Sequence, residues 1–129
     1  MNLTHIHDFT DAMKSKNLDA MLTHMAEGVI LKTPLVAEPF RGKAAIRPVV
    51  EALLRIVEKF DFLEMMQGPQ HVSEFFRVTV GSYQLDGMDY WLLNEAGLIQ
   101  EMTVLWRPLP AIVAVQNKLD EVTAEARIA

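Results

Sequence analysis

The clearest pattern in the chain is a pair of alternating apolar segments near its C-terminal end. Residues 86–93 and 98–107 alternate in side-chain polarity with a period of two, which is typical of half-buried β-strands. The turn-forming sequence Asn94–Gly97 separates them, so the two segments predict a long β-hairpin. A two-residue loop and a four-residue loop give the same register, in which Asp89 lies opposite Met102.

One face of this predicted hairpin is mostly apolar and carries a single carboxylate. Alternation places one set of side chains on that face: Asp89, Trp91, Leu93, Leu98, Gln100, Met102, Val104 and Trp106. The opposite face mixes Tyr90, Glu101 and Arg107 with Ile99 and Leu105. We interpret that mixed face as a partly covered outer surface.

A third strand precedes the hairpin. Residues 71–83 alternate, with Val72, Phe76, Val78 and Val80 on one side. Asp86-Gly87 is a strong turn signal, and a turn there sets residue 84 opposite Asp89. Val78 and Val80 then join the face of Asp89, so the three strands predict an antiparallel meander with one apolar side.

Helical spacing of apolar residues predicts four helices. Two short helices lie near residues 5–16 and 18–25, with Asn17 as the N-cap of the second, a longer one covers 43–60, and the last covers 109–128. Pro48 lacks a backbone donor, so the third helix either starts late or kinks there. Short strands are predicted around residues 29–32 and 61–67. The order of elements indicates one α+β domain over residues 1–129, with helices on one face of a strongly curved sheet.

Composition and charge exclude several classes of protein. The 129 residues are 50% hydrophobic and 22% charged, and no uninterrupted apolar run is long enough to span a membrane. The net charge of −5 with scattered lysines and arginines argues against nucleic acid as a partner. The first residues show no export signal, so we expect a cytoplasmic protein. There is no cysteine, which removes disulfides, thiolate nucleophiles and cysteine metal sites.

Two segments resemble a known superfamily. GVILKTPLVAEPFRGKAAIR, from Gly28 to Arg47, and GMDYWLLNEAGLIQEMTVLWRPLPAI, from Gly87 to Ile112, resemble the nuclear transport factor 2-like superfamily in its ketosteroid-isomerase-like or SnoaL-like branch. The resemblance covers nearly the whole chain. It implies a cone-shaped α+β barrel whose sheet folds around a deep apolar pocket, and a homodimer packed through the outer sheet surface.

The resemblance also allows a test of chemistry at each position. In ketosteroid isomerases an Asp before the proline of the first strand shuttles the proton, while a Tyr of the first helix and a protonated Asp of a later strand hold the enolate oxygen. In this chain Thr33 and Phe9 occupy the base and Tyr positions, and Asp89 matches the protonated Asp. A threonine hydroxyl cannot take a proton from carbon and phenylalanine has no donor. Steroid isomerisation by this mechanism is therefore not expected.

Asp89 is the main candidate for chemistry. Surrounded by apolar residues without an evident cation, its carboxyl group should have a raised pKa and act as a hydrogen-bond donor or general acid, as the resemblance to SnoaL-like cyclases implies. The alternative is a carboxylate bonded to backbone or water. His71 is a second acid-base candidate, although a histidine that opens a strand is also typical of a surface or sheet-edge position.

The predicted ligand pocket combines aromatic and aliphatic side chains: Phe9, Met13, Thr33, Phe40, Val78, Trp91, Met102, Val104 and Trp106. We expect no cofactor and no metal, since His5 and His7 point in different directions on a helix.

Two functions stay open for this pocket. The first is binding of a small hydrophobic molecule, with a carbonyl group as the expected partner of Asp89. The second is an acid-base enzyme of the isomerase, cyclase or hydratase kind that uses Asp89. Epoxide hydrolysis of the limonene type is less favoured, because it wants an Asp-Arg-Asp set and no arginine is expected inside.

Overall fold

Four helices and six strands make up the part of the chain that the structure describes. The computed structural model describes the backbone of residues 2–128 and the side chains of residues 2–123. In chain order the elements are α1 (Thr4–Lys14), α2 (Leu18–Thr23), β1 (Met25–Lys32), β2 (Phe40–Arg41), α3 (Lys43–Ile56), β3 (Lys59–Gln67), β4 (His71–Val80), β5 (Tyr83–Leu93), β6 (Ile99–Arg107) and α4 (Leu109–Ile128).

All six strands form one curved sheet in the order β2-β1-β6-β5-β4-β3. Strands β3 to β6 are a meander of antiparallel neighbours, while β1 runs parallel to β6 and makes the sheet mixed. The predicted α+β class and cone-shaped architecture are confirmed. We call the side of the sheet that packs against the helices the inner face, and the other side the outer face.

The four predicted helices are present, but α2 and α3 end earlier than predicted, and strands β1 and β3 begin within the residues predicted for the ends of these helices. Ile6 and Phe9 are the buried side of α1, and the side chain of Asn17 caps α2 by accepting a hydrogen bond from the Ala20 amide at 3.1 Å. Helix α3 begins at Lys43 and includes Pro48, so the proline does not delay its start. Among residues 2–128 no helix is long and apolar enough to cross a membrane.

The predicted turn between the second and third strands of the meander was wrong. Asp86 and Gly87 lie inside β5, and the turn is formed instead by Gly81 and Ser82, with Val80 paired to Tyr83. Gly81 has a φ of +58°, which a glycine adopts at little steric cost. Residue 74 instead of 84 therefore lies opposite Asp89, a shift of ten residues in the pairing partner. Because ten is an even number, Val78 and Val80 stay on the face of Asp89.

The register of the last hairpin also differs from the prediction. Asp89 pairs with Val104, two residues beyond Met102, and a bulge interrupts the ladder between Leu92 and Leu93. Leu92 pairs with Glu101 and Leu93 with Ile99, so Gln100 is the extra residue of β6. The bulge buries Ile99 and exposes Gln100, the reverse of the predicted faces.

The interior consists of two apolar clusters. The larger one lies between the inner face of the sheet and helices α1, α2 and α3, and Phe9, Val29, Ile46 and Trp91 are among its fully buried members. The smaller one, which includes Leu85, joins the end of the β4–β5 hairpin to α4. Both clusters lie on the inner face, where the candidate site is found.

Candidate functional site

A cavity of about 100 Å³ lies between the inner face of the sheet and helices α1, α2 and α3. Its wall is almost entirely apolar, and Asp89 is its one charged member among the described residues. Eight of the nine predicted pocket residues line it: Phe9, Met13, Thr33, Val78, Trp91, Met102, Val104 and Trp106. Phe40 does not, because it lines a separate groove between α3 and α4.

Asp89 is held inside by strand alternation. It lies on β5 between Glu74 of β4 and Val104 of β6, and only 6% of it is exposed. Burial, and next the negative charge of Glu74, raise the pKa of the Asp89 carboxyl to about 8. The group is therefore mostly protonated near neutral pH and can donate a hydrogen bond into the cavity.

Glu74 is the residue that the sequence reasoning missed. It is the one charged side chain on the inner face of β4, is 5% exposed, and pairs in register with Asp89. Its Oε2 atom is buried and has no hydrogen-bond partner among the described residues. Alternation alone places Glu74 on the side of Val72 and Phe76, so the signal was present, but only the correct register brings it to Asp89.

Trp106 adds a second polar group to the cavity wall. Its indole Nε1–H is buried and meets no acceptor within the part of the chain that the structure describes. Trp106 pairs with Gly87, and a Cβ atom at Gly87 would lie 2.8 Å from the indole Cδ1. The missing side chain at residue 87 thus makes room for the indole, two residues along the strand from Asp89.

Two of the three positions that the ketosteroid-isomerase mechanism needs hold other residues. Thr33 lines the cavity, and its hydroxyl oxygen accepts a hydrogen bond from the Leu35 amide at 3.3 Å. Phe9 lies edge-on to Trp91 with 5.8 Å between ring centres. The Thr33 hydroxyl cannot act as the base for a carbon acid near neutral pH, and Phe9 has no donor for an oxyanion.

His71 does not share the cavity with Asp89. It pairs with Leu92, which puts it on the outer face of the sheet, and its ring stacks on Tyr90 with the ring centres 4.4 Å apart. Of the surface and edge positions that the alternative interpretation allowed, the structure has the surface, because β4 lies between β3 and β5. The side chain is on the wrong face to exchange protons with a ligand in the cavity.

Two of the other three histidines form a pair outside the cavity. The Nδ1 atoms of His5 and His24 lie 3.0 Å apart, so one ring donates to the other and ties α1 to the end of α2. His7 belongs to neither this pair nor the cavity wall. No group of three or more potential metal ligands occurs in the described residues.

Comparison with known proteins identifies relatives of this arrangement. Residues 6–102, more than half of the chain, match a family model described as a SnoaL-like domain. The search of curated proteins finds no match.

Three solved structures illustrate the shared fold. A steroid delta-isomerase from Pseudomonas aeruginosa is 17% identical over 97% of this chain and 93% of its own, with a TM-score of 0.89. An uncharacterised protein with a cystatin-like fold from Silicibacter pomeroyi is 22% identical over 96% and 89%, with a TM-score of 0.87. SalBIII, an epoxide hydrolase/cyclase-like enzyme of pyran ring formation in salinomycin, is 15% identical over 83% and 90%, with a TM-score of 0.72.

Proposed function

Because the chain belongs to the SnoaL-like domain family, we propose that its cavity binds a small hydrophobic carbonyl compound. The observation that carries the proposal is the carboxyl of Asp89, the one charged group among the described residues of a mostly apolar wall, with its pKa raised to about 8. A protonated carboxyl donates a hydrogen bond, and a carbonyl oxygen is an acceptor that an apolar molecule can carry into such a site. The free indole N–H of Trp106 supports the same assignment as a second donor.

The size of the cavity favours a compact ligand. Its volume of about 100 Å³ is well below the roughly 300–1,000 Å³ of sites for drug-sized molecules. Four methionines lie in the wall: Met13, Met21, Met25 and Met102. Their unbranched side chains can change rotamer to enlarge the space. A one-ring or two-ring ketone is therefore the class we expect to bind.

The test uses a matched pair of probes, 1-indanone and the hydrocarbon indane, which differ by one carbonyl group. Trp91 and Trp106 both line the cavity, so tryptophan fluorescence reports binding of either probe. We expect the natural protein to bind indanone more tightly than indane. Asp89→Leu should lower the affinity for indanone by about 10-fold or more and leave the affinity for indane unchanged. Equal binding of the two probes by the natural protein would contradict the proposal.

A second candidate function is acid-base catalysis of the isomerase or cyclase kind. A pKa of about 8 lets Asp89 both give and take a proton near neutral pH, which is what a general acid or base requires. The steroid isomerase and SalBIII, the epoxide hydrolase/cyclase-like enzyme, share the fold, but fold alone does not carry their reactions over. Steroid isomerisation by the family mechanism is not proposed, because Thr33 and Phe9 replace the base and the tyrosine.

Hydrogen exchange separates the two candidates. An enzyme of this kind should speed deuterium uptake at the carbon next to the carbonyl of indanone in D₂O, measured by proton NMR. Asp89→Asn should then remove that acceleration and leave the fold intact. Binding without any acceleration would assign the protein to the binding class.

The outer face supports a further proposal, that two copies of the chain associate through it. Exposed apolar side chains lie on three strands there: Leu63 and Met66 of β3, Tyr90 of β5 and Leu105 of β6. A patch that meets its own copy about a two-fold axis would cover them. Leu105 is 60% exposed, so Leu105→Lys should convert a dimer to a monomer in sedimentation velocity, whereas Val113→Lys on α4 should not. A natural protein that sediments as a monomer would exclude the dimer.

A further inference from the structure

Glu74 is a buried carboxyl group that the proposed binding function does not use. It faces inward from β4, pairs across the strand boundary with Asp89, and is 5% exposed. Directly paired residues of an antiparallel ladder have Cβ atoms roughly 4.5–5.5 Å apart. Two carboxyl groups therefore approach each other behind the apolar wall, and the Oε2 atom of Glu74 has no hydrogen-bond partner among the described residues.

Burial and the nearby positive charges have opposite effects on the pKa of Glu74. Burial raises the pKa of the Glu74 carboxyl, while the positive charges of Lys14 and then His7 lower it. Both of these α1 residues are exposed. Within the sheet, β3 places Met65 next to Glu74 on one side, and β5 places Asp89 next to it on the other. The cations that act on the pair thus act on Glu74.

We propose that Glu74 is a positioning residue that holds the proton on Asp89, so that the two carboxyl groups share one proton and one negative charge at neutral pH. Two adjacent carboxylates in a medium of low dielectric constant repel strongly, so only one of them ionises readily. The positive charge of Lys14 stabilises the negative charge on Glu74, which leaves the proton on Asp89. The inference rests on the proposed function, in which Asp89 is the donor to the ligand.

This arrangement explains how an acid can remain a donor without a dedicated partner. If Glu74 carries the charge, ionising Asp89 would create a second negative charge beside the first. The donor form then persists to a higher pH than burial alone would allow, and the two groups titrate as a coupled pair. The affinity for the ligand should depend on the protonation of this pair, and should fall as the pH rises through the titration of Asp89.

The test is a carbon-13 NMR titration of the side-chain carboxyl groups. Asp89→Asn removes one resonance and thereby assigns it, and Glu74→Gln removes the neighbouring charge. We expect Glu74→Gln to move the midpoint of Asp89 to lower pH by at least about half a unit, a threefold change in its protonation constant. The conservative change Glu74→Asp should keep the midpoint near that of the natural protein, which a purely structural role would not require.

The matched control is Glu64→Gln. Glu64 lies on the neighbouring strand β3, is exposed, and faces outward opposite Phe75. The same change of charge there should leave the Asp89 midpoint where it is. Should Glu74→Gln fail to fold, Lys14→Gln on the exposed side of α1 keeps both carboxyl groups and should raise the midpoint of Glu74; an unmoved Glu74 midpoint would count against the proposal.

The outcomes distinguish this inference from the proposed function. A natural protein whose Asp89 titrates near the ordinary aspartate value would overturn both, because no donor would exist at neutral pH. An Asp89 midpoint that is raised by the same amount in the natural protein and in Glu74→Gln would overturn only the role of Glu74. The carbonyl-binding proposal would survive that result, with burial alone as the cause.

Discussion

Two aspartates on the same strand have opposite surroundings. Asp86 and Asp89 lie three residues apart on β5, so their side chains leave opposite faces of the sheet. On the outer face Asp86 accepts a hydrogen bond from Arg77 Nε at 2.9 Å and from Arg107 Nη1 at 3.5 Å. On the inner face Asp89 meets apolar side chains and a second carboxyl group, Glu74.

The difference shows which carboxylate serves stability and which one serves a site. The outer aspartate is matched by arginines from both neighbouring strands, an ordinary arrangement for a surface charge. The inner one has its pKa raised by burial and by a like charge, which is unfavourable for folding. Groups kept in unfavourable surroundings are typical of functional sites, because function and not stability retains them.

The largest expected effect comes from the glycine that separates the two aspartates. A Cβ atom at Gly87 would lie 2.5 Å from the Leu105 carbonyl oxygen and 2.6 Å from Cζ of Phe76. Gly87→Ala should therefore destabilise the protein by about 3 kcal/mol, since backbone and ring cannot both give way. Urea denaturation measures the change.

Gly81→Ala is the matched control for this substitution. Its Cβ meets no atom within 4 Å, but its φ of +58° is unfavourable for alanine, so we expect a cost of only about 1 kcal/mol. Equal costs at the two glycines would show that close approach at residue 87 is not what requires glycine there.

The pH dependence of stability should separate the inner aspartate from the outer one. The folded-state pKa of Asp89 is about 8 against an ordinary value of 3.8, so the folded state binds the extra proton between these limits. Stability from this group is fully present below about pH 4 and is lost as pH rises toward 8. The slope is at most about 1.4 kcal/mol per pH unit.

Asp89→Asn should remove this slope. The measurement is the free energy of unfolding of both proteins at several pH values between 5 and 8, at one ionic strength. The difference between the two curves isolates Asp89 from the other carboxylates. Parallel curves over this range would mean that Asp89 is already ionised in the folded protein.

The smallest effect is expected at the outer aspartate. Its side chain is 21% exposed and its arginine partners are more so, at 44% and 72%. Ion pairs of this kind contribute about 0.2–1 kcal/mol and weaken as salt screens them. Asp86→Asn should cost less than 1 kcal/mol in urea denaturation, and less still in high salt. A cost above about 2 kcal/mol would show that the outer pair is structurally essential and would weaken the comparison.

The elements and the inner face were predictable because they follow from local periodicity. Alternation of polarity assigned Asp89, Trp91 and Met102 to one face, and helical spacing located the helices. The errors concern which residues pair. The turn forms at Gly81 and not at Asp86-Gly87, although the latter is a strong turn signal. The bulge at Gln100 shifted the pairing of the last hairpin by two residues. Both shifts preserved the faces near Asp89 while changing its neighbours.

The site itself was predictable only in part for the same reason. The apolar wall follows from residue type and face, so most of its members were identified. Glu74 was not identified, because its importance depends on lying opposite Asp89, which is a property of register. Phe40 and His71 were misplaced, since a turn position and a strand end do not determine which surface a side chain joins.

By itself the sequence determined the class of fold, the apolar inner face and the lone aspartate within it, because these are set by side-chain periods of two and 3.6 residues. The tertiary structure decided the partners of that aspartate. Pairing between strands is fixed by long-range packing and by glycines whose neighbours are distant in sequence, as at Gly87. The chemistry of Asp89 depends on those partners, since its proton is held by burial and by the charge that the register places beside it.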